Sequence, residues 1–334
     1  MPAAPTKPTS RRFRRLAVAA ALSTYLLIVI GGVVRVTGSG LGCPDWPRCH
    51  GQVVPPLERA AISEYTHRLV AAASGGLMLT TFIAAWWRHR GRRWVVGPVS
   101  AAMGLLAVQV PLGGLIVATE LESLIVAFHL GMALLIFGML VITAVAAYRP
   151  AGGAARTGGR GYAALLGGAL AALFVLLITG ALVVGTKAQL ACPDWPLCHA
   201  GRGAAPLWPS PNASPLVGIH LLHRYMVAGV SVLVAAVVAS TLRGAALHRA
   251  RGDAALVAWA VVLGGLFVAQ VGIGAVQVML RLPALWRALH LAAASGVWAA
   301  LVVLVSLSVP GRLMAVGRIR PTRSQRTAIP SVQK

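Results

Sequence analysis

Acidic residues are nearly missing from this chain. Its 334 residues hold seven Asp and Glu against thirty Lys and Arg, and charged residues make up only 11%. A soluble domain carries roughly 25%. Seven acids cannot solvate the surface of a soluble protein this size, so a soluble enzyme and a disordered chain are excluded. Cysteine is scarce too, with four residues, too few for a disulfide scaffold of this length. What the chain has is apolar surface: 57% of it is hydrophobic. That leaves a polytopic membrane protein, with lipid as its first partner. The formal charge of +23 invites a nucleic-acid reading. The bases, however, lie in short runs between apolar stretches, which is a topology signal and not a basic groove.

Uncharged runs long enough to cross a bilayer cover residues 16–34, 69–87, 95–119, 123–148, 161–186, 225–242, 254–280 and 288–309. Lipid-exposed backbone must satisfy itself, so these read as eight transmembrane helices. The expected fold is an all-α membrane protein. The first run follows four arginines and exceeds a signal peptide's apolar stretch, so it reads as a retained helix. Eight spans put both termini on one side. That side carries twenty-one Lys and Arg and one acid, Asp253; the other carries nine bases and six acids. The positive-inside rule then places both termini in the cytoplasm.

The sequence also repeats. GGVVRVTGSGLGCPDWPRCH from Gly31 returns as GALVVGTKAQLACPDWPLCH from Gly180, an offset of 149. EYTHR at Glu64–Arg68 aligns with HLLHR at His220–Arg224, Gln109 with Gln270, and His129 with His290. The chain thus divides into two tandem, pseudo-symmetric four-helix bundles, 16–150 and 161–312. A cytoplasmic segment 1–15 precedes them, a Gly/Ala-rich linker 151–160 joins them, and a flexible tail 313–334 follows Pro310. Both repeats run in the same direction, unlike the inverted repeats of many transporters.

Four of the nine histidines belong to the repeat: His67 and His129, then His223 and His290. His89 and His248 read as exposed residues of basic loops. A lone intramembrane histidine is usually a packed hydrogen-bonding residue. Four at matched positions, each roughly 9–12 Å below the helix end, form two facing pairs. Two imidazoles across a four-helix bundle suit the axial positions of a haem iron. Zinc would need further ligands at that depth, and none is available. Arg68 and Arg224 follow the second-helix histidines. Each can hold a haem propionate or snorkel to the interface. Glu64 lies one turn before His67, where its twin is His220. It reads as a functional carboxylate present in one half only, or as a structural partner of Arg68. Gln109 and Gln270 read as interhelical hydrogen-bonders, and Pro111 as a kink.

All four cysteines lie in Cys-Pro-Asp-Trp-Pro-x-Cys-His loops on the expected oxidising side. Two local disulfides are expected, Cys43–Cys49 and Cys192–Cys198. The spacing excludes Cys-x-x-Cys-His haem attachment. A zinc site using His50 or His199 stands as the alternative. Trp46 and Trp195 suit interfacial anchors.

These features resemble the haem A synthase family, in its cysteine-containing bacterial branch. The Gly31–His50 segment, Glu64-x-x-His67-Arg68, His129, the second cysteine loop, His223-Arg224 and His290 carry the resemblance. It spans nearly the whole chain, with a cysteine spacing one residue shorter than in some members. It implies oxidation of a haem O methyl to a formyl group by successive hydroxylations, for terminal oxidase assembly. It further implies haem O or haem A on His67 and His129, haem b on His223 and His290, and Glu64 as the essential carboxylate. It also implies a part in activity for the first disulfide. A haem O synthase and an electron donor or acceptor are the implied partners; whether the chain forms a homo-oligomer is left open. Two rival classes remain open: a two-haem b-type cytochrome between quinol and an outer acceptor, and a haem or small-molecule transporter.

Overall fold

The computed structural model describes residues 9–149, 159–196, 198, 214–245 and 254–308. The expectations for residues 1–8, the linker up to 158, the tail 313–334, His199 and His248 concern residues outside these ranges. Among the described residues, eight helices are long and apolar enough to cross a membrane. They are α1 (Arg11–Val36), α2 (Arg59–His89), α3 (Arg93–Ala118), α4 (Ser123–Tyr148), α5 (Arg160–Gly185), α6 (Pro215–Arg243), α7 (Ala254–Met279) and α8 (Ala284–Ser308). A 3₁₀ turn covers Ala188–Leu190.

Helix ends follow local chemistry. Ser10 caps α1 by accepting from the Phe13 amide, and Ser214 caps α6 ahead of Pro215 at the first turn. Proline there loses no helical hydrogen bond. Inside the helices, Thr24, Thr81, Thr143 and Thr241 return their hydroxyls to the carbonyl four residues back, which satisfies them without water. α3 runs on through Pro98 and Pro111.

Two helices start well before their uncharged runs. α2 begins at Arg59 and α6 at Pro215, each ten residues ahead of the apolar stretch. These extra turns carry Glu64, His67 and Arg68 in one half and His220, His223 and Arg224 in the other.

The packing is cyclic. α1 lies against α2 and α4, and α3 closes the ring between α2 and α4. In the second half α5 lies against α6 and α8, with α7 between α6 and α8. The rings meet where α4 touches α5 and α8, and α1 touches α8. The repeat is visible at side-chain level. Tyr25 meets Phe137 at 5.9 Å between ring centroids, and the repeat-equivalent Phe174 meets Trp298 at 5.6 Å. Each half also reaches across to the other. The Tyr25 hydroxyl donates to Ala292 O at 3.2 Å, and the Trp298 indole donates to Leu134 O at 2.9 Å. The tight α3–α4 turn passes Glu120 and Leu121 through left-handed backbone (φ 51° and 67°), and α7–α8 repeats this at Arg281 and Leu282 (φ 62° and 63°).

Candidate functional site

The four repeat histidines sit at regular depth. His67 and His223 are eight residues past the starts of α2 and α6; His129 and His290 are six past the starts of α4 and α8. Each keeps some accessible surface. The two histidines that the sequence singles out in each half thus stand at matched heights on α2 and α4, and again on α6 and α8.

What aims these rings was missed in the sequence. Each lies with its Cε1 edge against a glycine on the preceding helix. A Cβ built on Gly31 would fall 2.9 Å from His67 Cε1, on Gly180 3.1 Å from His223, on Gly274 3.0 Å from His290, and on Gly113 3.6 Å from His129. Gly31 and Gly180 stand at the repeat offset, as do Gly113 and Gly274. The repeat register was the available signal, but it could not say which helices would touch.

Hydrogen bonding at the rings is uneven. Nδ1 of His67, His129 and His290 has no partner. His223 Nδ1 lies 3.2 Å from Thr179 Oγ1. Gln109 donates from its amide to His129 O at 3.1 Å, while the Gln270 amide nitrogen meets His290 Nε2 at 3.2 Å. Both glutamines thus bridge neighbouring helices.

Glu64 is buried and both its oxygens are engaged. Oε2 accepts from the Cys43 amide at 2.9 Å, and Oε1 from Arg68 Nη2 at 2.6 Å. Arg68 also donates to the carbonyls of Asp45 at 2.9 Å, Arg48 at 2.6 Å and Cys43 at 3.3 Å. Arg224 does the same in the second half, donating to Pro196 O at 3.0 Å and Cys192 O at 3.2 Å. Both guanidinium groups thus lie beneath their cysteine loops and hold them to α2 and α6. His220 is buried in Glu64's place, and its Nδ1 has no hydrogen-bond partner.

Both cysteine pairs lie at bonding distance, Cys43–Cys49 with Cα atoms 4.6 Å apart and Cys192–Cys198 with 4.9 Å. Gly42 rests directly on the backbone of Ala60 and Ala61, leaving no room for a Cβ. Asp45 closes the first loop by accepting from the amides of His50 at 2.5 Å and Gly51 at 2.8 Å. The Gly51 amide foremost, with that of His50, holds the Asp45 carboxyl below the usual carboxylate range. The His50 ring bonds Gly42 O at 3.0 Å. With the thiols consumed, no cluster of three metal-ligating side chains forms among the described residues.

Two nitrogen ligands per half, in apolar surroundings, fit the paired axial needs of a haem iron. The glycine cradles, tight to a Cβ at Gly31, Gly180 and Gly274, fit the ring edges of such ligands. An iron on His290 Nε2 would take the place of the Gln270 amide.

Fold and site together define a class: a duplicated eight-helix membrane protein that sets one histidine pair in each half beneath a disulfide-closed loop. A family model described as cytochrome oxidase assembly protein, COX15-CtaA, matches residues 14–302. The chain belongs to that family. It is 31% identical over 220 residues to the Heme A synthase of Shouchella clausii, covering 63% of this chain and 70% of that one. It is 30% identical over 225 residues to the Heme A synthase of Halalkalibacterium halodurans, covering 65% and 72%. With the Heme A synthase of Bacillus licheniformis it shares 26% over 206 residues, covering 59% and 67%.

Proposed function

We propose that this protein is a haem A synthase of a bacterial plasma membrane, with both termini in the cytoplasm. Two facing histidine pairs at repeat-matched positions, in a chain of this family, carry the reading. The substrate is haem O, and the reaction takes one ring methyl to a formyl group. Two hydroxylations and loss of water accomplish that change.

His67 and His129 hold the substrate in the first half, and His223 and His290 hold a resident haem b in the second. Haem b, when bound, supplies one-electron redox chemistry. The chain's own residues do the rest. The imidazole pair of the first half fixes the substrate ring so that one edge faces a constant part of the wall. Glu64, one turn from His67 on α2, places a carboxylate at the loop end of that half. Its charge favours positive charge developing on the porphyrin edge as the methyl is oxidised. The second half has His220 there, so only the first is equipped for this step. Arg68 and the cysteine loop lid the substrate half and limit water entry.

Haem O is water-insoluble and reaches the site from a haem O synthase in the same membrane. An external electron donor or acceptor completes each turnover. Expression with a haem O supply, followed by mass analysis of the extracted haems, tests the proposal. Haem A alongside haem b is expected; recovery of haem b alone would overturn it.

A further inference from the structure

One half of the repeat anchors its second-helix histidine and the other does not. Thr179 Oγ1 donates to Leu176 O at 2.8 Å. A hydroxyl has one hydrogen, so its remaining capacity toward His223 is as acceptor. With that hydrogen on Leu176 O, the 3.2 Å contact to Nδ1 is a hydrogen bond when His223 carries its proton on Nδ1. Nε2 is left with a free lone pair. The tautomer and the ring angle are both set from α5, by the residue next to the Gly180 cradle.

At the repeat offset, the place of Thr179 in α1 is taken by Ile30, beside Gly31. An isoleucine side chain cannot accept, and His67 Nδ1 has no partner. His67 therefore meets the same glycine edge as His223 but no hydrogen bond at Nδ1 holds its ring angle or its tautomer.

We propose that Thr179 is a positioning residue that makes His223 a permanent iron ligand, and that Ile30 leaves His67 free to release. The half that must admit a substrate haem and discharge a product thus carries the labile ligand. The half that keeps its haem carries the anchored one. A hydrogen bond to the far nitrogen of an imidazole also raises its donor strength and steadies its orientation. The inference rests on the haem-binding roles given above.

The test uses the full-length protein in lipid nanodiscs. The readouts are the rate at which each haem passes to excess apomyoglobin and the midpoint potential of the haem b. The two haems are told apart by their absorption. Thr179→Val, which keeps the shape and removes the acceptor, is expected to speed loss of haem b about ten-fold and to raise its potential. Thr179→Ser restores both. Ile30→Thr is expected to slow release from the first half by a similar factor, and it decides the matter alone if Thr179→Val does not fold. Wild-type release rates in both Thr179→Val and Ile30→Thr would overturn the inference. So would a Thr179→Ser variant that behaves like Thr179→Val. A wild-type protein that binds no haem would instead overturn the functional reading beneath it.

Discussion

Arg68 Nη2 donates to Glu64 Oε1 at 2.6 Å within one turn of α2, and this pair is what fastens the first cysteine loop to the helix that carries His67. Glu64 receives the Cys43 amide on its other oxygen, and Arg68 collects the loop carbonyls. The loop, the carboxylate and the histidine are therefore one mechanical unit. In the second half His220 stands where Glu64 would, and Arg224 holds its loop through the carbonyls of Pro196 and Cys192, with the Asp194 charge nearby.

That contrast predicts unequal costs for one substitution. Arg68→Met leaves the Glu64 charge buried and unpaired, which costs about 3–5 kcal/mol in buried pairs. Arg224→Met removes hydrogen bonds from a charged donor to carbonyls, worth roughly 1.5–3 kcal/mol. Thermal unfolding in nanodiscs should rank Arg68→Met as the more damaging. Equal losses would show that the carboxylate adds nothing to loop attachment.

Asp45 gives the first loop a pH dependence. Its carboxyl is held below the usual range, first by the Gly51 amide. The folded group thus titrates lower than the unfolded one, and the loop gains stability above the unfolded value of 3.8. That gain disappears as pH falls through the lower, folded value. Relative to the intrinsic rate at each pH, amide exchange at His50 and Gly51 should accelerate below about pH 4 in the wild type. In Asp45→Asn the acceleration should be absent, with exchange already fast at neutral pH.

The spans were legible because lipid leaves few options: an uncharged run of sufficient length must be a helix. The same logic hid the first turns of α2 and α6. Their Glu, His and Arg residues look non-membranous until the loop that satisfies them is folded. The histidine pairs were legible through the repeat. The positions of Arg68 and Arg224 under the loops were not, because backbone carbonyls leave no mark in a sequence. Glu64 emerges engaged by Arg68 and the Cys43 amide at once, and its burial beside His67's turn is what the proposed chemistry uses. The Gly31–His67 and Thr179–His223 contacts depended on which faces of adjacent helices meet.

Opening the first disulfide should loosen the loop and leave the helices in place. A seven-residue ring contributes roughly 2–3 kcal/mol by chain entropy. Arg68, Glu64 and Gly42 hold the loop independently of the sulfurs. A Cys43→Ser, Cys49→Ser double variant should lose stability of about that size and become sensitive to proteolysis between Pro44 and Arg48, with unchanged helical circular dichroism. Loss of helicity would mean that the loop organises the bundle instead of resting on it.

The glycine cradles make the sharpest prediction, because the four positions differ in clearance. An alanine at Gly113 would meet His129 Cε1 at 3.6 Å, an ordinary contact. Replacing a helical glycine by alanine otherwise favours the helix by roughly 0.5–1 kcal/mol. Gly113→Ala should therefore be neutral or slightly stabilising, with an unchanged haem spectrum. At Gly31 the clearance is 2.9 Å, so the His67 ring must turn. It has no hydrogen bond to break, so the variant should fold, with the spectrum of the first-half haem shifted. At Gly180 the clearance is 3.1 Å, but Thr179 resists rotation of His223. Overpacking against a held side chain costs about 1–3 kcal/mol. Gly180→Ala should accordingly lose stability where Gly31→Ala mainly loses ligand alignment. Parallel melting curves and low-spin haem spectra of the three variants separate these outcomes. If all three behaved alike, the glycines would be ordinary helix-packing residues with no part in aiming the imidazoles.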